Sequence, residues 1–581
     1  MRRKLILLLL AMNVAGVAFW ATHRPGPDAR VLPDDQVDRS ITYSNVLPAD
    51  YVGPDRCNDC HAKEHKLWLN HPHRRMNQMA SAESVEGDFN DAKLEVPHGV
   101  ITFTHEGDKY LATVERDGQF LRQYQITRTV GTVYQQYYIA KQVKGPEPLD
   151  SPLYKEHMLP FGYWRSLNRW LPKAFLDADG AEHLEHGIAT TEGVDYVKDI
   201  RLYNEDCMNC HNTYPYVYRV FHRKFSGFPF ANVSGALGPL SEALKPNVNV
   251  KPDVDSFENV RKLLDPSKDL VTLGISCESC HFGGREHAEE EDDIHFAPTS
   301  SMVKVTPVVA SRPVKGERTD PESVNGICAQ CHSGNSPLYP NGASVANSSE
   351  ALDFVTGACA NKMRCVDCHN PHEKGAPEAS PPQAKHLATC VKCHTQFQDA
   401  TAVATHTRHG PDVTCLDCHM PREVMGLDDI VRTHHISKPV EASMVKANST
   451  NACNLCHLDK SVAWTVAELK KGWNQSISVE GVAPDKLNTP MGDIWLHADQ
   501  PMRLLATRSW AHSPWAKEKL PELIHELDDQ EPINRVYALK SVEYVTGKKL
   551  DASTYTLQGS PAEREKQIDA LLQSLNARSG L

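Results

Sequence analysis

One short pattern, Cys-x-x-Cys-His, occurs eight times in this chain of 581 residues. Sixteen of the 17 cysteines belong to it, and a histidine directly follows every pair. In chain order the repeats, called motifs 1 to 8 below, are CNDCH at 57–61, CMNCH at 207–211, CESCH at 277–281, CAQCH at 328–332, CVDCH at 365–369, CVKCH at 390–394, CLDCH at 415–419 and CNLCH at 453–457. Such uniform spacing indicates that the cysteines serve one repeated chemical purpose.

Three chemistries use paired cysteines, and the adjacent histidine separates them. Disulfides are common in exported Cys-rich proteins, but they require no histidine after each pair. Zinc sites also use C-x-x-C, although two pairs normally share one metal and the next position is not fixed. In a c-type haem site the two thiols form thioethers with the haem vinyl groups, and the next histidine ligates the iron. The pattern therefore predicts eight covalently bound haem c groups.

The predicted cofactor-binding residues follow directly from the motifs. The attachment cysteines are Cys57, Cys60, Cys207, Cys210, Cys277, Cys280, Cys328, Cys331, Cys365, Cys368, Cys390, Cys393, Cys415, Cys418, Cys453 and Cys456. The proximal iron ligands are His61, His211, His281, His332, His369, His394, His419 and His457. The remaining cysteine, Cys359, is predicted to be an unpaired structural thiol.

A second axial ligand decides what each haem can do. An iron held by two histidines transfers electrons, whereas an iron with one protein ligand can bind a substrate or gas. The chain has 29 histidines, so 29 − 8 = 21 lie outside the proximal positions. Sequence context favours seven of these as distal ligands, namely His73, His287, His372, His406, His409, His434 and His435.

Ten of the other 14 histidines are ranked lower by their context. Five are weaker distal candidates: His183, His186, His222, His295 and His386. Five are predicted not to be ligands: His98, His105, His497, His512 and His525. Met76 and Met79 are alternatives to His73, and a methionine ligand would raise the potential of its haem.

Composition excludes several classes of protein. Hydrophobic residues make up 40% of the chain and charged residues 23%, which excludes a disordered chain, a coiled-coil rod and a polytopic membrane protein. Lys plus Arg is 62 and Asp plus Glu is 74, which makes the formal net charge −12. No nucleic-acid partner is expected, because phosphate binding needs clustered basic residues.

The N-terminus predicts export from the cytoplasm. Three basic residues at 2–4 precede a stretch without charge from Leu5 to Thr22. Residues 1–23 are therefore predicted to be a signal peptide or an uncleaved signal anchor in the cytoplasmic membrane, and 24–50 a Pro- and Asp-rich tether. Either alternative places the rest of the chain in the periplasm or another extracytoplasmic space, because positive charges stay inside.

Motif spacing predicts the organisation of the rest. We expect an octahaem domain over 51–460. Motifs 3 to 8 are too closely spaced for the residues between them to build an apolar core, so stacked porphyrins are expected to form the interior. The fold is therefore predicted to be mainly α with little regular structure. Alternating residues around Asp117-Gly118 predict a small antiparallel β element at about 95–145. After a linker at 461–495, residues 496–581 predict a HEAT-like helical module that either caps the haem domain or docks a partner.

Several segments resemble a known family. YVGPDRCNDCHAKEHKLWLNHPH, ISCESCHFGGREH, MRCVDCHNPH, VTCLDCHMPRE and STNACNLCHLDKS are similar to exported multihaem c-type cytochromes of the cytochrome c554/c552-like, doubled-CxxCH class. The resemblance implies that His73, His287, His372, His409 and His434 are distal ligands. Some related octahaem and pentahaem enzymes use a lysine-ligated catalytic haem, and that device is missing here because all eight motifs end in histidine.

Two functions remain open from the sequence. The first is electron transfer through eight haems between redox protein partners, a donor and an acceptor, in a respiratory chain. The second is an oxidoreductase in which one haem has an open distal position and acts on a small nitrogen or sulfur oxyanion. For that enzyme, candidate pocket residues near motif 2 are His183, His186, Tyr196 and Arg201.

Overall fold

The computed structural model describes residues 44–96, 99–176, 200–203, 208–216, 270–290, 293–299, 315–334, 336–360, 362–373, 383–551 and 553–579. The predicted signal or anchor segment at 1–23 and most of the tether lie outside these residues. So do Cys207, His98, His183, His186, Tyr196 and His222. No helix among the described residues is long and apolar enough to cross a membrane.

An antiparallel sheet of eight strands forms the N-terminal part of the fold. Its strands are β1 (Asn77–Met79), β2 (Ala92–Val96), β3 (Gly99–Glu106), β4 (Lys109–Arg116), β5 (Gln119–Val130), β6 (Gln135–Lys144), β7 (His157–Trp164) and β8 (Arg169–Pro172). Strands β2 to β8 are paired in chain order, and β1 pairs with β5. The first and last strands of this series, β2 and β8, approach each other, so the sheet nearly closes on itself.

The β4–β5 hairpin forms where the sequence predicts it. Arg116 pairs with Gln119, which leaves Asp117 and Gly118 as the two-residue loop. Both loop residues have positive φ, 51° and 75°, as a type I′ turn requires. This turn matches the right-handed twist of the strands it joins.

The sheet is larger than the predicted element at 95–145. Strands β7 and β8 lie beyond it. Trp170 of β8 lies inside the sheet's own core, stacked on Phe103 with ring centroids 3.7 Å apart and planes 7° from parallel. A strand that is covered on both faces does not alternate between apolar and polar residues. Most residues of β7 are buried, so its sequence lacks this signal.

Short helices carry the motif region, and longer ones follow it. They are α1 (Pro54–Asn58), α2 (Ala62–Leu69), α3 (Met208–His211), α4 (Arg285–Glu290), α5 (Pro321–Ala329), α6 (Glu350–Thr356), α7 (Gln383–Val391), α8 (Ala400–Thr407), α9 (Cys415–His419), α10 (Ser443–Lys446), α11 (Val462–Trp473), α12 (Pro484–Asn488), α13 (Met491–Leu496), α14 (Gln500–Ala511), α15 (Leu520–His525), α16 (Pro532–Thr546) and α17 (Pro561–Ser579). Two small sheets complete the fold: β9 (Asn212–Thr213) with β10 (Thr272–Leu273), and the hairpin β11 (Arg422–Met425) with β12 (Ile430–Arg432).

Two apolar cores are present in the described residues. One fills the N-terminal sheet around Phe103, Tyr124 and Tyr138. The other joins the C-terminal helices to Trp164 at the end of β7 and to Ile430 of the β11–β12 hairpin. Where the sequence predicts a linker at 461–495, the structure has α11, α12 and α13, and Leu469, Met491 and Trp495 from these helices are buried in that second core.

Candidate haem-binding sites

Each motif folds into a single helical turn. In motifs 1, 3, 4, 5, 6 and 8 the histidine N–H donates to the carbonyl of the first cysteine, with N–O distances between 2.8 Å in motif 8 and 3.0 Å in motif 4. Motif 7 is the helix α9, and the described part of motif 2 is α3. Residues three and four positions apart share one face of such a turn. The motif therefore presents two thiols and an imidazole together, as haem attachment requires.

Disulfides and zinc sites are the two alternatives to haem, and the structure can be searched for both. No disulfide joins the described cysteines. Within the same residues, no group of three or more His, Cys, Asp or Glu side chains is placed to hold a metal ion. The predicted attachment cysteines are thus available for thioether formation.

A large cavity lies between the N-terminal sheet and the C-terminal helices. Its volume is about 3010 Å³, and cysteines of motifs 2 to 8 line it. A pocket for one ligand measures roughly 300–1,000 Å³. The cavity therefore has room for several large cofactors, and it occupies the region where the motifs are most closely spaced.

Five proximal histidines each lie opposite a second histidine, without direct contact between the rings. The ring-centroid distances are 6.1 Å for His61–His287, 6.2 Å for His281–His372, 6.1 Å for His369–His434, 6.4 Å for His419–His406 and 6.2 Å for His457–His409. Two of the pairs are almost parallel, with planes 4° apart for His281–His372 and 3° apart for His419–His406. These distances are too long for ring stacking in direct contact.

The same distances fit an iron between the rings. A ligating imidazole nitrogen lies about 2.0 Å from a metal, and the ring centre lies about 1.15 Å further away, so two imidazoles on opposite sides of one iron have centroids roughly 6.3 Å apart. The observed values range from 6.1 Å to 6.4 Å. The residues present therefore fit haem with two axial histidines at motifs 1, 3, 5, 7 and 8.

Four of the five distal histidines implied by the family resemblance lie in such pairs: His287, His372, His409 and His434. The fifth, His73, is in contact with His71 (centroids 4.6 Å apart) and lines the cavity. His406, which sequence context favoured but the resemblance did not imply, lies opposite His419. Near His369 a second ring, His386, lies at 6.2 Å but is inclined by 63°.

The remaining candidate residues are not part of these histidine pairs. His435 contacts Thr356, with Nδ1 2.9 Å from the hydroxyl oxygen. Met79 is 53% exposed and its sulfur accepts from Arg128, whereas Met76 lines the cavity. Arg201 also lines the cavity. His105, which is predicted not to be a ligand, lies near the tip of the β3–β4 hairpin, with its ring 6.0 Å from that of Tyr110.

Burial keeps several of these imidazoles neutral, which is the form that ligates a metal. It lowers the pKa of His281 to about 4 and that of His73 to about 3. It also lowers the pKa of His434 and His457. A neutral imidazole can bind iron without first losing a proton.

Motif 4 has a different environment. His332 Nδ1 lies 3.0 Å from Oε2 of Glu350. This hydrogen bond raises the pKa of His332 to about 9. Burial opposes ionisation of Glu350, but the contact with His332 outweighs it and lowers the pKa of the carboxyl to about 2. Nothing in the sequence around Glu350 indicates this role, because the carboxylate lies 18 residues after the histidine and reaches it only through the fold.

Neighbouring motifs form a continuous series in space. The thiols of Cys57 and Cys277 are in hydrogen-bonding contact, and so are those of Cys328 and Cys365. Further cysteines lie close enough to interact electrostatically between motifs 3 and 4, 5 and 6, 6 and 7, and 7 and 8. Motif 2 lies beside motif 4, through His211 and Cys331. The spatial order is therefore 1, 3, 4, 5, 6, 7, 8, with motif 2 adjoining motif 4.

The extra cysteine, Cys359, lies in this same region. It lines the cavity near Cys390 and Cys393 of motif 6. Burial raises the pKa of its thiol, so the group is kept protonated. Cys359 forms no disulfide with another described cysteine.

Comparison with known proteins connects this site to one family. The cytochrome c552 family pattern matches residues 402–501, a stretch that contains motifs 7 and 8 and the histidines opposite them, His406 and His409. No curated protein matches the sequence. The family match and the motifs together support a multihaem c-type cytochrome with covalently bound haem c.

Two solved structures are similar to this chain at low identity. The outer cell wall cytochrome OcwA is 14% identical, with a TM-score of 0.37, and the alignment covers 90% of this chain and 100% of that one. The octahaem sulfite reductase MccA of Wolinella succinogenes is 13% identical, with a TM-score of 0.30, covering 90% of this chain and 88% of that one.

Proposed function

We propose that this protein is an octahaem c-type cytochrome that carries electrons between redox protein partners outside the cytoplasm, as part of a respiratory chain. The five histidine pairs with centroids 6.1–6.4 Å apart carry this proposal. Haem iron, when bound, changes between the ferric and ferrous states and so takes up or releases one electron. A site closed by two histidines favours this exchange over substrate binding.

The chain's own residues supply the conditions for electron transfer. The helical turn of each motif holds the thiols and the proximal imidazole in a fixed orientation. Distal histidines come from different segments: His287 from α4, His406 from α8 and His434 from the loop after β12. Because each pair joins two separate segments, iron binding is expected to be coupled to folding.

The spatial order of the motifs supports a conducting path. Motifs 1, 3, 4, 5, 6, 7 and 8 lie beside one another in that order, and motif 2 adjoins motif 4. Short separation between cofactors is what a chain of electron carriers needs. Cys60 of motif 1 is exposed and is not among the cavity-lining residues, which supports the approach of a redox partner near motif 1.

The C-terminal helices support the interpretation as a cap. Asp499, Gln500 and Pro501 at the start of α14 and Ile533 of α16 line the cavity. We propose that this HEAT-like module excludes water from the cofactors, and that partner docking occurs elsewhere. The basic N-terminus and the uncharged stretch after it support export from the cytoplasm by a signal peptide or a signal anchor.

Haem content and spin state test the proposal. A pyridine haemochrome assay on the purified protein should yield eight haems per chain, and the ferric spectrum should be predominantly low-spin and unaffected by cyanide, nitrite or hydroxylamine. A colourless, folded protein would refute it. A high-spin fraction near one haem in eight that responds to these ligands would instead favour the oxidoreductase alternative, for which the cavity-lining Arg201 is a candidate anion-binding residue.

A further inference from the structure

One proximal histidine is held by a carboxylate. In motif 4, His332 Nδ1 lies 3.0 Å from Glu350 Oε2, while the other carboxylate oxygen accepts from the Ser348 N–H at 2.9 Å. Both side chains line the cavity, which explains why His332 is 48% accessible although protein surrounds it. The pair is therefore part of the cofactor region and not of the outer surface.

The backbone around this contact is also fixed. Ala351, the second residue of α6, donates its N–H to the carbonyl of His332 at 2.9 Å. Ser349 Oγ donates to the carbonyl of Gly334 at 2.7 Å. These bonds hold the backbone of motif 4 against the start of α6, which keeps the Glu350 side chain within reach of the imidazole.

Two imidazoles at other motifs have a backbone carbonyl in place of the carboxylate. His419 of motif 7 has Nδ1 2.7 Å from the carbonyl oxygen of Ser437, and the distal His409 has Nδ1 2.6 Å from that of Thr407. Nδ1 of His281 is buried and has no hydrogen-bond partner among the described residues. A carboxylate draws the Nδ1 proton more strongly than a carbonyl does, and it makes the opposite nitrogen a stronger donor to a metal.

We propose that Glu350 is a positioning residue that gives the haem of motif 4 an imidazolate-like proximal ligand and thereby a lower reduction potential than the haem of motif 7 has. A stronger donor and a nearby negative charge both stabilise ferric iron over ferrous iron. The inference rests on the proposed function, since it requires haem at motif 4.

A lower reduction potential at motif 4 would affect electron transfer through the molecule, because this motif lies at a junction. Its cysteines adjoin motifs 3 and 5, and motif 2 lies beside it. A low potential at this junction separates the haems on the motif 1 side from those on the motif 8 side. An electron that crosses the molecule then passes an uphill step at the junction.

Two matched variants test the inference. Glu350→Gln removes the charge but keeps the side-chain length, and Glu373→Gln removes an exposed, cavity-lining carboxylate close to motif 5. In a spectroelectrochemical titration at fixed neutral pH, Glu350→Gln should raise the midpoint of about one-eighth of the haem by at least ~59 mV, which corresponds to a tenfold change in the ferric-to-ferrous preference. Glu373→Gln should leave that component unchanged. No shift in Glu350→Gln, or equal shifts in both variants, would overturn the inference.

Two further measurements separate this inference from the proposed function. Mass spectrometry of the peptide that contains Cys328 and Cys331 reports whether haem is attached at motif 4. Attached haem with an unshifted midpoint contradicts only the role of Glu350, whereas missing haem contradicts the octahaem proposal itself. If Glu350→Gln does not fold, ferric EPR of the unsubstituted protein decides: a distinct low-spin signal with a narrower g spread supports the inference, and uniform neutral-imidazole signals contradict it.

Discussion

At the scale of single residues, the distal histidines are the side chains that decide whether a motif is closed to external ligands. His406 lies on α8 and faces His419 with the ring planes 3° apart and the centroids separated by 6.4 Å. It comes nine residues before the first cysteine of its own motif, so the pair forms only after the chain has turned back on itself. Its removal should open one position without disturbing the attachment thiols.

We therefore predict that His406→Ala converts about one-eighth of the ferric haem to a high-spin form that binds cyanide. Electronic absorption and EPR spectroscopy measure this fraction. His105→Ala, at an exposed hairpin tip beside Tyr110, is the control and should leave the spectrum unchanged. A fully low-spin spectrum for His406→Ala would show that His406 is not a ligand.

A second residue-scale feature joins the β11–β12 hairpin to the C-terminal helices. Arg508 of α14 holds Asp429 with two hydrogen bonds, of 2.8 Å from Nε and 2.6 Å from Nη2. Only 3% of the Arg508 side chain is accessible, compared with 38% of Asp429. Burial opposes ionisation of Asp429, but hydrogen bonds from His512 and Arg508 outweigh it and lower its pKa.

Asp429→Asn should lower the free energy of unfolding by about 2 kcal/mol at neutral pH, because it leaves a buried guanidinium without its counter-ion and solvent screens part of the lost attraction. The folded-state pKa of Asp429 is depressed. Its contribution is therefore complete above the unfolded pKa of about 3.9 and is lost as the pH falls below that value. Denaturant unfolding at several pH values measures the difference, and Asp150→Asn, at an exposed site, is the control. A difference that persists undiminished at low pH would contradict the ion-pair explanation.

At the scale of elements, close helix packing depends on one small residue. Gly492 of α13 lies against Trp510 of α14, and a Cβ at this position would lie 2.5 Å from Cζ2 of the indole ring. Trp510 is 1% exposed and cannot turn away without leaving the core. The approach of these two helices therefore requires glycine at position 492.

Gly492→Ala should destabilise the protein by about 1–3 kcal/mol through overpacking. Gly410→Ala is the matched control, since no atom lies within 4 Å of a Cβ added there, and it should change stability by less than ~0.5 kcal/mol. Thermal unfolding followed by circular dichroism compares the two. Equal melting temperatures would mean that α13 and α14 adjust freely.

At the scale of the whole molecule, the sheet, the hairpin and the helices share contacts beyond their own cores. Tyr537 of α16 is fully buried, its hydroxyl donates to the carbonyl of Gly426 at 2.7 Å, and its ring meets Trp164 edge to face. Trp164 Nε1 donates to Asp428 at 2.6 Å, and Lys540 Nζ donates to the same carboxylate at 2.7 Å. These contacts connect three parts of the chain: β7, the β11–β12 hairpin and α16.

We predict that Tyr537→Ala costs about 3–5 kcal/mol and reduces protection in all three parts together. Hydrogen exchange should show faster exchange in β7 and in the β11–β12 hairpin as well as in α16. Tyr544→Ala removes a ring that is 59% exposed on the same helix and should have little effect. Loss of protection confined to the helices would show that they fold as an independent unit.

Much of the candidate site follows from local pattern. The motif cysteines and proximal histidines can be assigned from spacing alone, because a turn of five residues contains all three groups. The β4–β5 hairpin is equally local, since Asp117 and Gly118 alone satisfy the turn. The extent of the sheet was harder to predict, because β7 and β8 are buried on both faces and lack the alternation of a half-exposed strand.

The sequence by itself determined the chemistry of this protein: which thiols pair, which imidazole follows them, and how many such units the chain carries. Only the tertiary structure decided which histidine faces which motif, that Glu350 reaches His332, and that the C-terminal helices cover the cavity. The physical reason is how far apart along the chain the interacting groups lie. Haem attachment uses two thiols and an imidazole that lie within one helical turn. The imidazole opposite a motif, and the carboxylate that hydrogen-bonds to His332, come from other segments and are positioned by the packing of the whole chain.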